Sequence, residues 1–129
     1  MNPLRWKQRF QNYEKAFSQL EKAMLIQNPS EIERAGLVQF FELTFELAWK
    51  TLKDYLETQG FQPNTPREVL KQAYQSQCIS RGDIWLEALD NRNLTVHVYD
   101  DATSLQVIQL IRSKYFDLLK ELYQKFLSL

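Results

Sequence analysis

Phe41-Glu42-Leu43-Thr44-Phe45-Glu46-Leu47-Ala48-Trp49-Lys50 decides the fold, because it can be read two ways. Phe41, Leu43, Phe45, Leu47 and Trp49 fall on every second position, the period of a half-buried strand. Glu42, Glu46, Ala48 and Lys50 between them are good helix formers. Length settles the matter. The pattern runs on, with only Gly36 as a weak point, to Gly60. Roughly 30 residues of continuous pattern is far too long for one strand. The expectation is a helix over about residues 31–59, apolar around most of its circumference and therefore central to an all-α protein. Ser30 and Glu33 form a capping box at its start, and Gly60 is the stop.

Toward the N-terminus, Trp6, Phe10, Tyr13, Phe17, Leu20 and Met24 follow one another at alternating spacings of four and three. That is an apolar seam on a helix. Lys7, Arg9, Glu14, Lys15, Glu21 and Lys22 lie mostly off it. Asn2-Pro3 supplies a capping side chain and a proline at the first helical position. The helix should run over about 3–26 and stop at Asn28-Pro29, because the residue before proline avoids the helical region.

Toward the C-terminus, Phe61-Gln62-Pro63-Asn64 reads as a turn. Thr65-Pro66-Arg67-Glu68 is a second capping box, opening a short helix to about Gln75. Arg81-Gly82 breaks the chain, and Asp83 is the expected cap of another short helix carrying Ile84, Trp85, Leu86 and Leu89. A last helix starts near Asp101, with Leu105, Ile108, Ile111, Tyr115, Leu119, Leu122 and Phe126 on its seam. Three long and two short helices with short connections imply an up-and-down antiparallel bundle, one domain over residues 1–129.

Composition excludes several classes. The 16 basic and 16 acidic residues cancel, so no global positive field draws the chain to nucleic acid. The single cysteine, Cys78, excludes an intramolecular disulfide and suits a reducing compartment. The charged N-terminal pattern is not that of a signal peptide, and no apolar run approaches the length of a membrane span. A cytoplasmic protein with no membrane contact is expected. With three glycines there is no phosphate-cradling loop, and one histidine with one cysteine makes a single-chain metal site improbable. No cofactor is expected.

One polar cluster remains, Asp90 to Asp101, which holds the only histidine, His97. Arg92 precedes it by five positions and Tyr99 follows by two. On one straight helix, five residues turn the chain by about 500°, so Arg92 and His97 would point roughly 140° apart. To converge on one ligand they need a helix end or bend between them, which β-branched Thr95, Val96 and Val98 favour. The bland alternative is that Asp90 and Arg92 form surface ion pairs and His97 closes a helix end. Spacing alone does not choose.

The sequence resembles the HEPN superfamily, most closely its branch of nucleotidyltransferase substrate-binding proteins. The resemblance covers nearly the whole chain. Its anchors are residues 41–50, Pro66-Arg67-Glu68, Trp85 and Arg92-Asn93-Leu94-Thr95-Val96-His97-Val98-Tyr99. Arginine, four to six residues, then histidine is the superfamily's ribonuclease signature, and His97-Val98-Tyr99 matches the extension found in toxins of toxin–antitoxin pairs.

What the resemblance implies is a metal-independent ribonuclease toxin acting on RNA. Arg92 would be its phosphate clamp, His97 its general acid or base, and Asn93 a positioning donor, with Glu46 and Lys50 as supporting candidates. It further implies a homodimer whose two signature segments line one cleft, so that two histidines share the proton transfers. Its partner would be a minimal nucleotidyltransferase, which in some such pairs places AMP on the tyrosine matching Tyr99. The alternative is a non-catalytic subunit that presents a substrate to the nucleotidyltransferase. Between residues 81 and 101, Arg81 and Arg92 face Asp83, Glu87, Asp90, Asp100 and Asp101, an acidic excess that disfavours phosphate binding.

Overall fold

The computed structural model describes residues 3–95 and 101–129. Among them every regular element is helical: α1 Pro3–Met24, α2 Glu31–Thr58, α3 Pro66–Gln75, α4 Gly82–Thr95, α5 Asp101–Leu110, a π-helical turn Ile111–Tyr115 and α6 Phe116–Leu127. The last three follow without a gap and form one helical run. None of the helices is long and apolar enough to cross a membrane.

The ends of α2 form as the local chemistry requires. The Ser30 side chain accepts from the Glu33 amide, and the Glu33 carboxylate accepts from the Ser30 amide, at 3.1 and 2.8 Å. At the other end Gly60 has φ +94°, a left-handed conformation that costs glycine little. The Phe61 and Gln59 amides donate to the Leu56 carbonyl and the Gly60 amide to that of Glu57, which satisfies carbonyls of the last turn.

Other ends differ from expectation by a residue or two. α1 stops at Met24, and the Arg112 guanidinium donates to the Met24 carbonyl at 2.7 Å, a long-range cap that no local pattern announces. Thr65 caps α3 by accepting from Glu68, but the Glu68 carboxylate reaches back to the Asn64 amide instead of completing a box on Thr65. Asp83 is not the cap of α4. The helix begins at Gly82, and Asp83 sits in its first turn, where the helix dipole favours an acid.

Side-chain pairs give the directions. Trp6, at the start of α1, packs on Tyr55 near the end of α2, so the two helices are antiparallel. Trp6 also packs on Phe126, while Arg112 meets Met24, which sets α5–α6 antiparallel to α1 as well. Phe41 stacks on Tyr115 at the middle of the bundle. α4 runs back along α6, with Arg81 on Glu121 and Glu87 on Tyr115.

The aromatic seam of α1 is used inside the chain. Trp6, Tyr13, Phe17 and Leu20 are buried, and Phe10 packs against Tyr13, Tyr123 and Phe126. Tyr13 donates to the Leu119 carbonyl at 2.6 Å. This seam is therefore not spare surface for a second copy. Leu105, expected on the C-terminal seam, is 53% exposed, and Ser104 and Val107 are buried in its stead. Ser104, Val107, Ile108 and Ile111 recur at three and four residues as one helical face, and Leu105 lies one position, about 100°, off it.

Candidate functional site

α2 and α4 bring the sequence candidates together. The Arg92 Nη1 donates to Glu46 Oε2 at 2.7 Å, and Lys50 Nζ lies 3.5 Å from Glu46 Oε1. Glu46 thus bridges the arginine of the signature and the lysine one turn along its own helix. Arg92 is the last basic residue of α4 and favours the partial negative charge at that helix's C-terminal end. The ion pair links positions 46 residues apart. Asp90 does not join it. It pairs with Arg67 of α3, which places the second anchor motif on α4 as well.

Arg92 and Glu46 close one end of a surface groove of about 660 Å³, lined further by Gly36, Gln39, Phe40, Glu42 and Leu43 of α2. Phe40 and Leu43 make its wall apolar. A side chain at Gly36 would meet nothing within 4 Å among the described residues, so the flat spot there packs against none of them. Among the described residues that line it, one guanidinium stands against the carboxylates of Glu42 and Glu46, so these residues bring the groove no surplus of positive charge.

Behind Arg92, α4 is fastened to the π turn. Asn91 Nδ2 donates to the Tyr115 hydroxyl at 2.6 Å, and that hydroxyl donates to Glu87 Oε2 at 2.8 Å. Lys114 lies 3.4 Å from the same carboxylate. Sequence reading placed Tyr115 only in the core. Its hydroxyl holds two consecutive turns of α4, and Lys114, its neighbour in the π turn, reaches the same Glu87 carboxylate.

Burial and the adjacent Glu87 carboxylate push the Tyr115 hydroxyl from 10.0 up to about 12. The fold thus favours the neutral hydroxyl. Its contribution to stability is complete below about pH 10 and is lost as the pH rises through about 12. Tyr13, buried, is raised in the same direction. Tyr115→Phe should therefore flatten, without abolishing, the fall in urea midpoint between pH 9 and pH 11. An unchanged fall would show that Tyr115 keeps an ordinary ionisation.

Trp49, beside Lys50, is half-buried, and its indole nitrogen is enclosed without a hydrogen-bond partner among the described residues. Trp85 is a packing residue, 1% exposed and tilted against Phe45. Asn93 belongs to α4, with its side chain outside the described residues. His97 and Tyr99 lie outside them altogether, so the site consists here of Arg92, Glu46 and Lys50 with the groove beside them.

A family model described as nucleotidyltransferase substrate binding protein like matches residues 8–128. Among solved structures, a crystal structure of a protein from Thermus thermophilus superposes with a TM-score of 0.81 at 29% identity, covering 88% of this chain and 97% of that one. No curated protein matches the sequence. The match over nearly the full length, on a helical bundle of the expected architecture, makes this chain a member of the nucleotidyltransferase substrate-binding protein-like family.

Proposed function

We propose that the chain is the substrate-binding subunit of a two-component nucleotidyltransferase, and that the groove closed by Arg92 and Glu46 receives the acceptor. Nucleotidyl transfer needs an acceptor hydroxyl or amine to attack the α-phosphorus of a nucleoside triphosphate, with pyrophosphate leaving. This chain has no glycine-rich loop for the triphosphate, so that part of the work falls to the partner. The observation that carries the reading is the 2.7 Å Arg92–Glu46 pair. An arginine already held by a carboxylate is a weak clamp for RNA phosphates, whereas paired donors and acceptors beside an apolar wall suit a small polar acceptor.

A second reading, the metal-independent ribonuclease toxin, is favoured by the spacing of Arg92, His97 and Tyr99. In it Arg92 would leave Glu46 to stabilise the transition state, and His97 would move the proton. In both readings the chain works as a homodimer.

Co-expression tests the proposal. The chain should co-purify with its cognate nucleotidyltransferase, show no ATP binding alone in calorimetry, and have a dimeric mass by light scattering at micromolar concentration. Tight ATP binding by the isolated chain, or failure to associate with the enzyme, would overturn it.

A further inference from the structure

Tyr115 touches both helices that build the Arg92 groove. Its ring stacks on Phe41 of α2 at 5.7 Å, five residues and so about 7.5 Å along the axis before Glu46. Its hydroxyl accepts from Asn91 and donates to Glu87, at 2.6 and 2.8 Å, on successive turns of α4. One side chain therefore joins the same two helices that the Arg92–Glu46 pair joins.

The tie matters because of how α4 meets α2. Trp85 packs on Phe45 and Arg92 pairs with Glu46, and residues seven positions apart return to the same side of a helix. Contact along one such line leaves a helix able to roll about its own axis. Glu87 and Asn91 lie roughly 100–140° around α4 from Arg92, so the Tyr115 hydroxyl holds α4 from a second side. Arg92 stands in the last turn of α4, where helices open most easily, and Asn91 is its immediate neighbour in the chain. The other polar tie of this turn, Arg67 on Asp90, is exposed at both partners and holds it weakly.

We infer that Tyr115 is a positioning residue of the Arg92 groove. Through its hydroxyl it sets the roll of α4, and so the place of the Arg92 guanidinium on Glu46. Its value to function rests on the reading that this groove receives the acceptor.

Tyr115→Phe removes the hydroxyl and keeps the ring on Phe41. In ¹⁵N spectra of the full chain, the hydrogen-bonded Arg92 Nη–H signals should be resolved from the averaged signal of freely rotating arginines. Tyr115→Phe and Asn91→Ala should each merge them into that signal. Tyr13→Phe also removes a buried hydroxyl bond, the one to the Leu119 carbonyl at 2.6 Å, and should leave them resolved. A general loss of stability therefore does not mimic the effect. The second readout is transfer by the two proteins from ATP labelled in the α-phosphate to a small-metabolite extract. Tyr115→Phe should lower labelled product about threefold to tenfold, short of the full loss of a charged hydrogen bond. In an Arg92→Ala background it should lower it no further, since it acts through Arg92. Arg92 signals that stay resolved in Tyr115→Phe, or that Tyr13→Phe merges equally, would overturn the inference. So would additive losses from Tyr115→Phe and Arg92→Ala. Absence of product with every chain, wild type included, would count against the acceptor reading alone, and the spectra would still decide the role of Tyr115.

Discussion

Phe41→Ala should destabilise the chain by about 3–5 kcal/mol, while Leu43→Ala, two residues along the same helix, should cost less than about 1 kcal/mol. Phe41 is 1% exposed, stacks on Tyr115 at 5.7 Å and touches Phe45 at 5.9 Å, so its removal leaves a cavity where α2 meets the π turn. The surroundings are closely interdigitated and collapse only partly into such a space. Leu43 is 47% exposed and loses little by truncation. At this chain length the first change should lower the melting temperature by roughly 10–20 °C. The pair also decides between the two readings of residues 41–50. A strand would give Phe41 and Leu43 the same face and similar costs. Comparable losses for both would contradict the helical packing.

That contrast shows how much the residues announced. The helix over 31–59 followed from the length of the pattern and from its caps, and α2 is observed as Glu31–Thr58. Caps are local chemistry, so Ser30 with Glu33, Gly60 and Thr65 were legible as residue types at fixed offsets. The π turn was not. Ile111-Arg112-Ser113-Lys114-Tyr115 carries no glycine, proline or other mark, and its conformation is set by what it packs against. The ties from Arg112 to α1, from Arg9 to the buried Asp54 and from Arg67 to Asp90 join distant positions, and a one-dimensional pattern holds no information on them.

The candidate site was legible in its membership but not in its pairing. Arg92, Glu46 and Lys50 were each singled out. Lys50 was the obvious partner of Glu46, one helical turn away. The structure adds Arg92 to the same carboxylate at the shorter distance, 2.7 against 3.5 Å. That change of partner alters the chemistry expected of Arg92, because its charge is already answered within the chain.

The fate of a labelled nucleotide tests the central claim most directly. The chain, its cognate nucleotidyltransferase, an extract of small metabolites and ATP labelled in the α-phosphate are incubated together, and the label is located. The account predicts a labelled small molecule whose formation requires both proteins. Arg92→Ala should lower it at least about tenfold, the scale of losing a charged hydrogen bond, with the helical signal unchanged. Label found instead on the chain itself and lost in Tyr99→Phe, with RNA cleaved in EDTA by the unlabelled chain and not by His97→Ala, would contradict it and establish the ribonuclease reading.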